Sequence, residues 1–341
     1  MAFCVRYKTK MSFSSPIDVV YLWCDGNDPN FQCRKQQRMK EMGLPWNEAN
    51  LGDIRYIDNN ELKYSLRSVY KYLPWVNHIY IVTDNQYPSW FKENDKVSIV
   101  DHKDIIPSEY LPTFNSVTIE SFIHRVPGLS EKFLLFNDDT FINTPLSQSF
   151  FFENDQPIVR LIKDQSRWQF SSIEQAEEAL RSDEVSSFRK TLINAWRLFS
   201  LKHGVSPFYV LAHTVDAYTK QQFAFVQNSY PELKLLNNCP FRTDHDIQRV
   251  IYQMEMVRTL GCPLREVKLP SFLQKHFPFL FRESLETFEG TESPKTWKRI
   301  RALSPKMFCL NAAIETNAQT KAKSIRLLEE LFPDKSPNEL S

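Results

Sequence analysis

Apolar residues recur along the first half of this chain in two alternating rhythms. The runs "IDVVYLW" (17–23), "HIYIVTD" (78–84), "VSIVDH" (97–102) and "FLLFN" (133–137) are short and rich in β-branched or aromatic residues, which predicts strands. Between them, "NNELKYSLRSVYKYLP" spaces Leu62, Leu66, Val69 and Leu73 along one helical face. Asn59 or Asn60 is placed to cap its start, and Pro74 follows its end. "TFNSVTIESFIHRV" (113–126) predicts a second helix with Ile119, Phe122, Ile123 and Val126 inward. Strand and helix in alternation argue for a mostly parallel sheet, an α/β fold. From about residue 153 the helical period takes over. Residues 171–204 read as helical up to a stop at Gly204, and Thr243–Asp246 leads into a helix burying Ile247, Val250, Ile251, Met254 and Val257. "TKAKSIRLLEELFP" ends at Pro333. The expected organisation is a weakly patterned leader (1–16), an α/β region (17–152), a helical insertion (153–205) and a largely helical part (206–335) that completes the site.

Three predicted strands run into acids: Asp25, Asp84, and the pair Asp138-Asp139. In parallel sheets, ligands gather beyond the carboxyl ends of the strands, so these acids share one rim. Adjacent carboxylates repel, and burying them is costly unless a cation meets them. Taken alone, "NDD" is either a solvated turn or a hold for a divalent metal.

Composition narrows the choice. The chain has 341 residues with 42 Lys and Arg against 41 Asp and Glu, so no global field favours nucleic acid or an anionic membrane. No apolar run approaches the roughly 18 residues that span a bilayer. The first residues lack the apolar core of a secretory signal, and Met11 is a second candidate start. Six scattered cysteines without CxxC predict free thiols in a reducing cytosol, and HExxH is absent. The chain holds only seven glycines, the closest two nine residues apart, which excludes GxGxxG and GxxxxGK. Any phosphate held here needs side-chain cations, a helix N-terminus or a metal.

The stretch 17–142, through "IDVVYLWCDGNDP", "DNNELKYSLRSVYKYLPWVNHIYIVTDNQYPSWF" and "LPTFNSVTIESFIHRVPGLSEKFLLFNDDTFI", resembles the first two conserved regions of the Stealth family. These are the bacterial capsular polysaccharide (hexose-1-phosphate) phosphotransferases, with relatives in the eukaryotic N-acetylglucosamine-1-phosphotransferase. Residues 210–261, with "VLAHTVDAY" and "NNCPFRTDHD", are more loosely similar to a third region, and "KMFCLNAAIE" (306–315) to a fourth.

The resemblance implies a Rossmann-like, GT-A-like nucleotide-sugar-binding sheet. It implies transfer of a sugar-1-phosphate from a UDP-sugar to a polysaccharide hydroxyl, with release of UMP. Carried over residue by residue, the catalytic positions fall on Glu120, Asp138, Asp139, His213 and Arg242. Asp138 and Asp139 are then the ligands of Mg²⁺ or Mn²⁺, and either His213 or Glu120 is the base. Trp23, Asp25, Gly26, Asp28, Asn60, Arg67 and Asn115 are expected around the donor; Trp23 either stacks on uracil or is a core tryptophan, and Arg67, with Lys63, either meets a phosphate or is solvated on the helix face. Where the family reads Cys-Leu-Asn-Asp, this chain has Cys309-Leu310-Asn311-Ala312. That departure leaves two rivals in view, a sugar-nucleotide-binding protein without turnover and an ordinary UDP-sugar glycosyltransferase. The expected setting is cytoplasmic, beside the membrane export machinery, with no nucleic-acid partner.

Overall fold

The computed structural model describes residues 15–44, 56, 58–164, 168–268, 270–311 and 318–340. The four predicted strands form: β1 (Ile17–Leu22), β2 (Ile79–Thr83), β3 (Val97–Asp101) and β4 (Lys132–Asn137) lie parallel in the order β3-β2-β1-β4. Registers such as Leu22 with Val82 on one side and Asn137 on the other bring the carboxyl ends of β1, β2 and β4 to one edge. The short strand β5 (Thr140–Ile142) follows at once.

Helices connect and cover this sheet. They are α1 (Pro29–Glu41), α2 (Glu61–Tyr72), α3 (Ser116–Phe122), α4 (Ile173–Arg181), α5 (Ser187–His203), α6 (Lys220–Ser229), α7 (Val250–Leu260), α8 (Pro294–Leu303) and α9 (Ala318–Leu331). Successive strand residues serve opposite faces. Val19, Tyr21, Leu134 and Phe136 pack with Leu62, Leu66 and Val69 of α2, while Val20, Phe133 and Leu135 pack with Leu192, Phe223 and Ile251 of α5, α6 and α7. Each such side chain, fully buried, contributes about 1.5–3 kcal/mol, so the sheet sits in the densest part of the core.

The second half is less helical than its period predicts. A ladder of β6 (Phe152–Glu153) and β7 (Gln156–Pro157) precedes β8 (Val159–Lys163), which pairs with β9 (Tyr209–Leu211) and β11 (Leu264–Glu266). β10 (Asp216–Thr219) adds an antiparallel edge to β4, and β12 (Thr287–Thr291) with β13 (Met307–Asn311) joins β5 in a third sheet. β6, β7, β9, β10 and β11, of two to four residues, are too short to show a period of two. The helix expected over 171–204 is two helices: Ser182 ends α4, and the Ser186 hydroxyl caps α5 by accepting from Arg189 N–H at 3.3 Å. Gly204 stops α5 with φ 83°, as its residue type predicts. α7 starts at Val250 instead of directly after Asp246, because Asp246 folds back onto Thr243 and Asn115.

Arg67 is not available to a phosphate. Its Nε and Nη2 donate to Glu339 at 2.7 and 2.6 Å, and Nη1 donates to the Phe332 carbonyl at 2.8 Å. Burial opposes the Glu339 charge, yet the Arg67 fork holds its carboxyl below the ordinary value. This pair clamps the C-terminal residues onto α2, with Asn338 O accepting from Lys92 N–H beside it. Arg67→Met is expected to cost about 3–5 kcal/mol, since it strands a buried carboxylate. Urea unfolding, with Arg67→Met/Glu339→Gln recovering part of the loss, checks this.

Candidate active site

The loop after β1 is shaped by one close approach. Gly26 N–H donates to the Tyr56 carbonyl at 2.6 Å, and a Cβ on Gly26 would meet that oxygen at 2.4 Å. Only glycine fits, so Gly26 joins this loop to the chain that carries Asp58. Gln86 braces the other side, accepting from Asp25 N–H and donating to the Asp25 carbonyl and the Asp28 carboxylate. Asp28 caps α1 through Asn30 N–H at 2.8 Å. Burial opposes its charge, but these donors hold it below the usual carboxylate range. Trp23 is 5% exposed and packs in the core with α2, so it offers no open face to a uracil.

Rim acids from all three strand ends act on one residue, Cys24. Cys24 stands among them: burial raises its thiol first, followed by the charges of Asp138, Asp58, Asp25 and Asp84. Asp84 is neutralised by Arg34, whose Nη2 reaches Oδ2 at 2.7 Å. Among the described residues the others make no such ion pair. Asp138 and Asp139 form the turn between β4 and β5, with Asp139 N–H donating to Asp138 Oδ1 at 3.1 Å. Burial pushes Asp138 well above the ordinary carboxylate value, reinforced by Asp139, Glu61 and Asp58. Asp139 is also raised by burial, moderated by the Cys309 thiol and by His213, and its Oδ1 is buried with no hydrogen-bond partner among the described residues. Glu61, at the first turn of α2, is lifted by burial to about 7, although Asn59 donates to it through both backbone and side chain. Asn60 has left-handed backbone (φ 64°) and makes no side-chain cap. Its N–H donates to Asp58 Oδ1 at 2.9 Å, so it steers the acid into the cluster.

On the Asp139 side, β12 and β13 supply a second group. His213 Nδ1 lies 2.9 Å from Glu289 Oε1, which also accepts from Asn311 Nδ2 at 2.8 Å. The Glu289 bond is the main cause that raises His213, against burial, with Asp139 adding to it. Thr287 Oγ1 donates to the His213 carbonyl at 3.2 Å and fixes the histidine's backbone to β12.

Glu120 is buried, not a surface carboxylate. Arg249 Nη1 meets it at 2.9 Å, while Arg249 Nε meets Asp216 of β10 at 3.0 Å. The Arg249 charge also opposes a proton on His213, weakly beside the Glu289 contact. Arg242 lies at the start of α3, donating to Ser116 Oγ at 2.6 Å. Asn115 has both ends of its amide in use, accepting from Val117 N–H and donating to Asp246, which makes it a buried brace and not a ligand contact. Of the predicted residues, Asp139 interacts with both Asp138 and His213, Asp25 acts with Asp138 on Cys24, Glu120 pairs with Arg249, and Arg242 meets Ser116 at the start of α3. Sequence reasoning missed Asp58, Glu61, Asp216, Arg249 and Glu289. None lies in a spaced motif. Ala312 and Ala313 lie outside the described residues.

The donor set is hard oxygen, which suits Mg²⁺ or Mn²⁺. Among the described residues no three His, Cys, Asp or Glu side chains converge as a finished metal cage. Mg²⁺ asks for less, commonly one or two carboxylates completed by water and substrate phosphates. The crowded, partly unpartnered Asp138–Asp139 pair fits that demand.

Comparison with known proteins agrees on the lineage. Stealth protein conserved region 1 matches residues 15–43, and conserved region 2 matches residues 55–159. His213 and Arg242 lie beyond both spans. The capsular polysaccharide phosphotransferase LcbA of Aeromonas hydrophila is 32% identical over 265 residues, 76% of this chain and 71% of that protein. LcbA of Neisseria meningitidis is 38% identical over 234 residues, 68% of this chain and 61% of its own length. The chain thus spans about three-fifths of that relative. Among solved structures, galactosyltransferase LgtC in complex with donor and acceptor sugar analogs aligns over 94% of this chain and 96% of its own, with a TM-score of 0.43 and 8% identity. With its first two conserved regions in place and a relative matched over most of both chains, this protein belongs to the Stealth family, alongside the capsular polysaccharide phosphotransferases.

Proposed function

We propose that this chain transfers a hexose- or N-acetylhexosamine-1-phosphate from a UDP-sugar to a hydroxyl of a growing glycan, releasing UMP. The observation that carries the reading is the Asp138–Asp139 turn facing the His213–Glu289 couple at the carboxyl edge of a parallel sheet. In this reaction the acceptor oxygen attacks the phosphorus that bears the sugar. The bond from that phosphorus to the bridging oxygen breaks, and its electron pair leaves with UMP. Phosphoryl transfer asks mainly for positioning and charge neutralisation.

His213 takes the acceptor's proton on Nε2. Glu289 Oε1, 2.9 Å from Nδ1, favours a proton on that nitrogen and leaves Nε2 to accept one. Glu120 is the weaker choice of base because it is held in a buried ion pair, 2.9 Å from Arg249 Nη1. Arg242 serves as the clamp on donor phosphate, and Asp25 with Asp28 flanks the nucleotide. Asp138 and Asp139 would hold Mg²⁺ or Mn²⁺, which neutralises the diphosphate when bound. The same proposal puts the enzyme in the cytoplasm, near the machinery that exports its polysaccharide. No helix among the described residues is long and apolar enough to cross a membrane.

The test is incubation with a panel of UDP-sugars and glycan acceptors, with the released nucleotide identified by mass. UMP is expected, and transfer should stop in EDTA and return with added Mg²⁺. UDP as product would replace the reading with ordinary glycosyl transfer. Donor binding without turnover, restored by Ala312→Asp, would make the natural chain a binding protein.

A further inference from the structure

The balanced net charge conceals a local imbalance. Residues 267–282, "VKLPSFLQKHFPFLFR", carry three Lys or Arg and no Asp or Glu, in a chain with 41 acids among 341 residues. The same stretch holds eight Val, Leu or Phe. It folds as a short helix, Phe272–His276, and a single turn, Pro278–Phe281, packed on α8. Phe281 turns in toward the cluster of Phe288 and Trp297 and anchors the segment. Leu273, Phe277 and Leu280 turn out instead, and are 55%, 47% and 66% exposed. Lys268 and Arg282 are exposed at the two ends, and the 3.8 Å contact of Arg282 with exposed Glu283 is too weak to cancel its charge.

Apolar residues scattered singly on a surface need no explanation, but a group of them does. Three within eight residues, framed by bases and cleared of acids, have the composition of a segment that lies in a membrane interface. We propose that residues 267–282 dock the protein on an anionic lipid bilayer. Leu273, Phe277 and Leu280 enter the boundary between headgroups and acyl chains, and Lys268 and Arg282 meet lipid phosphates. Charge complementarity selects this occupant: the segment itself carries three bases and no acid, with Glu266 and Glu283 just outside it, and anionic lipid attracts each base by about 1 kcal/mol. Glu289 of β12 follows seven residues after Arg282, so docking here would set how far the carboxylate rim stands from the bilayer. The inference stands apart from the reaction assigned above.

The full chain would be sedimented with vesicles of equal phosphatidylcholine and phosphatidylglycerol, and with phosphatidylcholine alone. Binding to the anionic vesicles is expected, weakening as salt rises. Leu273→Ser/Leu280→Ser and, separately, Lys268→Gln/Arg282→Gln should each lower binding roughly tenfold or more, with thermal unfolding unchanged because all four side chains are exposed. No binding to anionic vesicles at low salt would overturn the proposal, as would equal binding by the variants. Self-association that the same substitutions abolish, without lipid binding, would make the patch a protein interface and overturn it too. Nucleotide release is read in a separate assay, so either idea can fail alone.

Discussion

Asp139→Asn and Asp138→Asn are each expected to lower sugar-phosphate transfer by about 10²–10⁴-fold while leaving the fold intact or firmer. Each substitution keeps the side-chain shape and removes one charge from a cluster that burial and mutual repulsion destabilise. Such a cluster serves a bound ligand at the expense of the empty protein. Melting temperature without metal or donor should therefore rise, by about 2–4 °C, as activity falls. A fall in both would mean that the aspartates are structural, and unchanged activity in both variants would remove the metal assignment.

The same cluster sets a pH dependence. Glu61 is raised by burial to about 7, so between its unfolded value near 4.5 and about pH 7 the folded protein holds a proton that the unfolded chain has released. Its contribution to stability is therefore greatest at the acid end of that window and is lost as pH rises through it. His102 and His124, lowered to about 4 chiefly by burial, act in the opposite direction, so the comparison must be between variants. In Glu61→Gln, melting temperature should decline less from pH 5 to 7 than in the natural chain. Parallel curves would show that Glu61 titrates normally.

His213→Ala is expected to reduce the catalytic rate by about 10²–10⁴-fold with little change in donor affinity. Glu289→Gln is the more discriminating variant. An amide beside Nδ1 no longer stabilises the imidazolium that forms as the proton is taken. The rate should fall by about 10–10²-fold, and the pH optimum should move to lower pH because the main cause raising His213 is gone. Calorimetry with donor separates the two possibilities. Lost binding with an unchanged rate would make both residues donor ligands instead of proton handlers.

How much of this was legible in the sequence differs by element. β1 to β4 could be read as short apolar runs ending at turns or acids, α2 because it repeats one helical face, and the seven scattered glycines excluded a backbone phosphate cradle at once. The acids at strand ends were visible as a group, since parallel strands of one sheet must deliver their ends to one edge. Length and spacing settle such features locally, before any long-range contact forms.

What only the tertiary structure decided is which charges have partners. Arg67 and Arg249 look alike in sequence, as bases on helical stretches. Yet Arg67 is locked by Glu339, from a segment 272 residues away, and Arg249 bridges Glu120 to Asp216. Glu289 carries no motif and becomes significant because β12 lies beside β13, which lies beside β5, bringing it to His213 and Asp139. A carboxylate's role depends on its dielectric surroundings and on charges within a few ångströms, and in this fold those come from chain far off in sequence. The pattern of residues determined the sheet and its acidic rim, whereas long-range packing determined which of those acids remain unpaired to do chemistry.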